Sequence, residues 1–98
     1  MKFVIVTGMS GSGKSIALHT LEDLGFYCID NLPVQLLLAF AEQLPRERGT
    51  TYERTAVGID ARNRSLELDL VPPLARRLRE QGIDCQIVYL DAQHETLL

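Results

Sequence analysis

The sequence has no tryptophan, three tyrosines, three phenylalanines and two cysteines, and it lacks any long apolar run. Its longest uninterrupted apolar stretch is Leu36 to Ala41, far below the ~20 residues that a membrane-spanning helix requires. Phe3 to Val6 is too short for the apolar region of a secretion signal. These shortages predict a cytoplasmic protein with no membrane partner. A basic excess is also missing: ten Lys and Arg stand against thirteen Asp and Glu, for a net charge of −3. No global positive field draws in nucleic acid, so any such contact must be local or lie elsewhere. Cys28 and Cys85 both sit in apolar, strand-like contexts, which predicts small buried thiols and not a disulfide. No Cys/His spacing has the pattern of a metal site.

Ninety-eight residues, 46% apolar and 23% charged, suffice for one small domain with a modest core. The most informative stretch is at the start. The apolar run Phe3-Val4-Ile5-Val6 leads into Gly8-Met9-Ser10-Gly11-Ser12-Gly13-Lys14-Ser15, which fits the G-x-x-x-x-G-K-[ST] pattern of a phosphate-binding loop, Walker A. Wrapping a phosphate chain requires successive backbone N–H groups to point inward, and Gly8, Gly11 and Gly13 are expected to supply the positive φ angles for that curvature. Lys14 adds a charge that reaches the β- and γ-phosphates. The Ser15 hydroxyl is suited to Mg²⁺, and a helix beginning there offers unpaired N–H groups and a positive dipole end. A chance match in a chain of this size arises roughly three times in a thousand. The strand-like residues before it, and Ala17, Leu21 and Leu24 at helical spacing after it, make chance rarer still. Because the Lys14 charge is aimed at phosphates and does not fill core, its removal is expected to abolish nucleotide binding or turnover and leave the fold intact.

The remaining chain alternates between strand and helix patterns. Gly25 stops the first helix, and Phe26 to Ile29 reads as a second strand. Asp30 or Asn31 is expected to cap a second helix with Pro33 in its first turn, its face formed by Leu37, Phe40, Ala41 and Leu44 and its end set by Pro45. Leu36 and Leu38 broaden that face and suggest that another element or subunit covers it. Residues 45 to 54 read as a solvated connection. A third strand covers Thr55 to Ile59 and a fourth Cys85 to Leu90. Between them Pro72-Pro73 predicts a helix from Pro72 to Gln81, closed by Gly82 and preceded by a separate turn over Leu66 to Leu70. His94 to Leu98 reads as the first turn of a fourth helix. Strict alternation with nearly continuous apolar strands predicts an α/β fold of the P-loop NTPase, kinase-like type. It is a three-layer arrangement around a parallel sheet, expected to be incomplete at the C-terminus.

Mg²⁺ held by Ser15 needs a carboxylate at the end of a neighbouring strand. Asp60 and Asp91 both follow apolar runs. Asp60 is favoured because the third strand lies beside the first in simple kinase-type P-loop sheets, whereas Asp91 reads better as a cap. Asp30 occupies the position that in P-loop kinases often contacts the phosphoryl acceptor, with helix capping as the alternative. Arg62 can pair with phosphates; Arg64, and Arg76, Arg77 and Arg79 on the third helix, read as solvated charges. His19 and His94 are given no role.

The Walker A octet, the stretch Leu21-Glu22-Asp23-Leu24-Gly25-Phe26-Tyr27-Cys28-Ile29-Asp30-Asn31-Leu32-Pro33, and Ile59-Asp60-Ala61-Arg62-Asn63 with Leu90-Asp91-Ala92 together resemble the RapZ family of bacterial P-loop proteins. That resemblance implies binding and hydrolysis of ATP and GTP. Gly8 to Ser15 corresponds to the ATP loop, and Asp60, Ala61, Arg62 and Asn63 to a segment assigned to GTP. Residues 1–98 would be an N-terminal nucleotide-binding domain, with Lys14 and Asp60 in catalysis and Ser15 and Asp60 on Mg²⁺. In some members an RNase-adapter function acts on RNA through a C-terminal domain that this chain does not reach. The full-length protein is expected to be a homo-oligomer, and the 98-residue chain alone to bind nucleotide poorly and self-associate. The competing readings are a small-molecule kinase with its acceptor near Asp30, and a non-enzymatic module that uses nucleotide only as a ligand.

Overall fold

Phe3 to Thr7 are five consecutive buried residues, and a strand buried on both faces must lie inside a sheet covered on both sides. The computed structural model describes residues 1–8, 11–45, 49, 51–59, 64–90 and 95–97. Strand β1 (Lys2–Gly8) is followed by helix α1 (Gly11–Asp23), β2 (Tyr27–Leu32), a 3₁₀ turn (Val34–Leu36), α2 (Leu37–Gln43), β3 (Arg54–Ile59), α3 (Arg64–Glu80), β4 (Asp84–Leu90) and β5 (Glu95–Leu97). The sheet order is β2-β3-β1-β4-β5. The β2–β3, β3–β1 and β1–β4 pairs are parallel and the β4–β5 pair is antiparallel.

Alternation along the strands divides the interior in two. Phe3 and Ile5, Val57 and Ile59, and Cys85 and Ile87 face α2 and α3, where Leu37, Ala41, Val71, Ala75 and Leu78 complete the larger core. Val4, Val6, Ala56 and Leu90 face the other way, onto Leu18 of α1 with Ala17 and Leu21. The result is the expected three-layer α/β fold. It places the carboxyl ends of all four parallel strands, and the N-terminus of α1, along one edge of the sheet.

Both long helices end by the same backbone device. Gly25 has φ 92°, and the N–H groups of Gly25 and Phe26 bond the carbonyls of Glu22 and Leu21. Gly82 has φ 87°, and the N–H groups of Gly82 and Ile83 bond those of Arg79 and Leu78. These are Schellman closures, in which the residue after glycine packs back on the last turn. Phe26 meets the same core as Leu21, and Ile83 the same core as Leu78. Both glycine stops read from the sequence are therefore present.

Four expectations are corrected. Asp30 and Asn31 do not cap a helix: they belong to β2, and Pro33 occupies the N-cap of the 3₁₀ turn with no side-chain cap bond. The helical segment that follows buries Leu37, Ala41 and Leu44, while Leu36 remains 53% exposed. The expected separation at Pro72-Pro73 does not occur, because α3 runs continuously through both prolines. Each proline costs up to about 3 kcal/mol inside a helix, but Val71, Ala75 and Leu78 lie at one helical face and are fully buried. Their packing on the sheet holds the two halves in line. His94 and Leu98 lie outside the described residues, and residues 95–97 form a strand where a helical turn is expected. Leu97, Thr96 and Glu95 pair with Val88, Tyr89 and Leu90. This segment gains ladder bonds and covers part of the β4 edge. Finally, Arg79 is not simply a solvated charge, since its Nε donates to the Cys85 carbonyl at 2.8 Å.

Both thiols are free, Cys85 buried and Cys28 half-buried. Burial pushes the Cys85 thiol from 9.0 up to about 11, with Arg79 opposing and Asp84 adding to the rise. Burial, then the Glu22 charge, raises Cys28 as well.

Two predictions follow from the core. Pro73 is exposed within α3, so Pro73→Ala should raise stability by about 1 to 2 kcal/mol in urea unfolding, the restored helical bond outweighing the lost chain stiffness. Were Pro73 in a helix's first turn, the change would be neutral or destabilising. The raised Cys85 value means that the folded state retains a proton which the unfolded state loses above 9.0. Its stabilising effect is complete below that pH and is lost as pH rises towards about 11. The stability gap between the wild type and Cys85→Ala should therefore narrow across that window.

Candidate functional site

The site begins where β1 stops. Gly8 has φ 137°, and a Cβ placed there would lie 2.0 Å from the Leu90 carbonyl oxygen. Only glycine permits this contact between the end of β1 and the end of β4. Three positions after Gly8 α1 begins, at Gly11, four positions before the Ser15 start expected from the sequence. Gly11 and Gly13 are therefore helical, and of the three loop glycines only Gly8 takes a positive φ. The first turn of α1 carries no acidic residue, so its positive dipole end meets no carboxylate from its own turn.

Lys14 lies in this turn and is only 5% exposed. A buried ammonium needs acceptors. Lys14 Nζ donates to the carbonyl of Ile59, the last residue of β3, at 2.5 Å, and lies 3.9 Å from Asp30 Oδ1. Asp30 reaches that point through a bulge. Ile29 pairs with Val57 but Leu32 pairs with Ile59, so Asp30 and Asn31 together stand opposite Gly58. Asn31 takes φ 59° at the bulge and its N–H donates to Asp30 Oδ1 at 2.7 Å. A bulge re-aims side chains, and here the carboxylate rests over Gly58. A Cβ on Gly58 would lie 2.4 Å from Asp30 Oδ1 and 3.0 Å from Leu18 Cδ1.

Beside this arrangement, between α1 and β2, is an open cavity of about 180 Å³ lined by Ser15, Leu18, His19, Glu22, Cys28 and Asp30. The structure thus brings Lys14, Ser15 and Asp30 to one edge with Gly8. Met9, Ser10, Asp60, Ala61, Arg62, Asn63 and Asp91 lie outside the described residues. Asp60 directly follows β3 and Asp91 directly follows β4, and both strands flank β1. Gly58, the Ile59 carbonyl and His19 are absent from the sequence-based site. A glycine inside a buried strand is a signal of close approach and points to Gly58; a backbone carbonyl leaves no sequence signal. Among the described residues no helix is long and apolar enough to cross a membrane.

The family model described as RapZ-like N-terminal domain matches residues 1–98. The chain is 52% identical over 98 residues to a protein of Methylococcus capsulatus named as a nucleotide-binding protein, covering all of this chain and 33% of that relative. It is 49% identical to a nucleotide-binding protein of Alkalilimnicola ehrlichii and 50% identical to one of Nitrosococcus oceani, each over the whole chain and 34% of the relative. The chain thus spans about a third of the length of these curated relatives.

The burial of Lys14 changes what its removal should do. Lys14→Ala leaves the Ile59 carbonyl without its charged donor and opens space beneath α1, so unfolding in urea without nucleotide should show a loss of about 1 to 3 kcal/mol. An unchanged midpoint would mean that the bond to Ile59 does not hold in solution.

Proposed function

Since this chain belongs to the RapZ-like N-terminal domain family, we propose that it binds ATP or GTP with Mg²⁺ and hydrolyses the triphosphate, as the nucleotide-binding domain of a longer regulatory protein. The observation that carries this reading is the convergence of Gly8, the N-terminus of α1 and the Lys14 ammonium at the carboxyl edge of a parallel sheet, where open α/β folds take their ligands. Gly8, Met9, Ser10, Gly11, Ser12, Gly13, Lys14 and Ser15 hold the phosphate chain in this reading. Asp60, Ala61, Arg62 and Asn63 contribute a further nucleotide contact.

Ser15, exposed near the start of α1, suits a hard cation through its hydroxyl, and Asp60 would share it. Asp60 is preferred to Asp91 because Lys14 reaches the last residue of β3, immediately before Asp60. Mg²⁺ supplies charge neutralisation at the phosphates when bound. The chain's own residues orient the phosphates along the helix N-terminus, and Lys14 draws charge from the γ-phosphate as its bond to the bridging oxygen breaks and water adds to phosphorus. In this reading the protein is cytoplasmic and forms a homo-oligomer in its full-length form. RNA and an RNase are partners of the rest of that protein, and nucleotide occupancy regulates them.

One observation favours a second reading. The cavity beside Asp30 adjoins Ser15, and an acceptor hydroxyl held there would make the protein a small-molecule kinase. Single-turnover reactions with ATP and GTP, with and without candidate acceptors, distinguish the readings. Phosphate release independent of acceptor is expected, while acceptor-dependent transfer supports the kinase and neither product leaves a binding module. Lys14→Ala should abolish turnover. Asp60→Asn should lower Mg²⁺-dependent turnover about tenfold or more, as expected when a metal's charge stabilisation is lost, and Asp91→Asn should lower it less. The reverse ranking would move the metal site to β4.

A further inference from the structure

We infer that Asp30 is a positioning residue that restrains Lys14 in the nucleotide-free protein, so that triphosphate must compete with Asp30 and the Ile59 carbonyl for the lysine. The inference rests on the reading of Gly8 to Ser15 as the triphosphate loop. Three independent features of the chain build the restraint. The bulge in β2 turns Asp30 towards α1. The Asn31 N–H fixes the same oxygen, Oδ1, that lies 3.9 Å from Lys14 Nζ. Gly58 leaves the space that the carboxylate occupies, since any Cβ there would collide with it.

An ammonium engaged in this way is directed towards β3, whereas the first turn of α1 carries no acidic residue. The resting site therefore offers an arriving triphosphate a helix end but a lysine already in use. Binding exchanges one anion at Lys14 for another. Removing the Asp30 charge removes one of the two competitors, and the Lys14–Ile59 bond loses the charge that keeps the ammonium near it. Asp30 is 39% exposed on its side chain, so solvent screens the pair and the effect is modest: about two- to fivefold in affinity, the range of partly exposed ion pairs.

The test is a double-mutant cycle read by titration with ATP and Mg²⁺, combining Asp30→Asn with Lys14→Ala. Asp30→Asn is expected to tighten binding about two- to fivefold in the Lys14 background and to change nothing in the Lys14→Ala background. Equal tightening in both backgrounds would mean that Asp30 only repels phosphate through its field, and weaker binding would mean that it helps hold the ligand; either outcome overturns the inference. Gly58→Ala keeps the charge but displaces it and should change affinity in the same direction as Asp30→Asn. The ¹⁵N signal of the Lys14 ammonium reads the restraint without nucleotide, so it decides even if the Lys14→Ala protein binds too weakly to titrate. A slowly exchanging signal in the wild type should be lost in Asp30→Asn, and its persistence would overturn the inference. If Lys14→Ala leaves ATP affinity unchanged, the triphosphate-loop reading fails, while the ammonium signal still shows whether Asp30 restrains Lys14.

Discussion

An ammonium group withdrawn from water has to find oxygen atoms, and the edge of this sheet is built around how Lys14 does so. Its side chain is carried on the first turn of α1, and its nitrogen reaches the carbonyl that ends β3. That single bond connects a helix to the strand next to β1, across the sheet edge where the site lies. Desolvating an unpaired charge would cost several kcal/mol, so the positions of α1 and β3 are coupled through the need to satisfy it.

The surrounding features are consistent with that constraint. Gly8 allows β1 to end against the Leu90 carbonyl, which sets where the chain leaves the sheet before α1 begins. Gly58 leaves room on β3 for a carboxylate, and the β2 bulge supplies one. Two glycines and one extra residue in a strand therefore do the geometric work, while the apolar residues on both faces hold the layers in register.

Much of this was legible in the residues. The apolar runs identify β1 and β3 because these strands are buried on both faces and need no alternation, and β4 through its buried Cys85, Ile87 and Leu90. Gly25 and Gly82 mark the ends of α1 and α3 because their positive φ angles close the last turns. The octet from Gly8 to Ser15 has the spacing of a phosphate-binding loop, and the structure sets Gly8, Lys14 and Ser15 at one edge of the sheet. What was not legible depends on contacts distant in sequence. Pro72 and Pro73 look like a helix start by local rules, and only the burial of Val71, Ala75 and Leu78 carries the helix through them. Asp30 and Asn31 have the side chains of a cap, but pairing with β3 takes them into a strand. The use of residues 95–97 as a strand depends on pairing with β4. The burial of Lys14 could not be inferred from the lysine itself, since the acceptor is a backbone oxygen forty-five positions away.

The Schellman closure at Gly25 has a bearing on how α1 can vary. Its last turn is latched by two backbone bonds, and the β1 exit before its first turn is held by Gly8 against β4. A helix pinned at both ends acts as a ruler of fixed length. One inserted or deleted residue shifts the register by about 1.5 Å and turns it by about 100°, which swings Lys14 away from Ile59 or lifts Leu18 and Leu21 from the sheet. A side chain on the exposed face, such as Ile16 at 64% exposure, is free to change in kind. The number of residues between the two glycines is not.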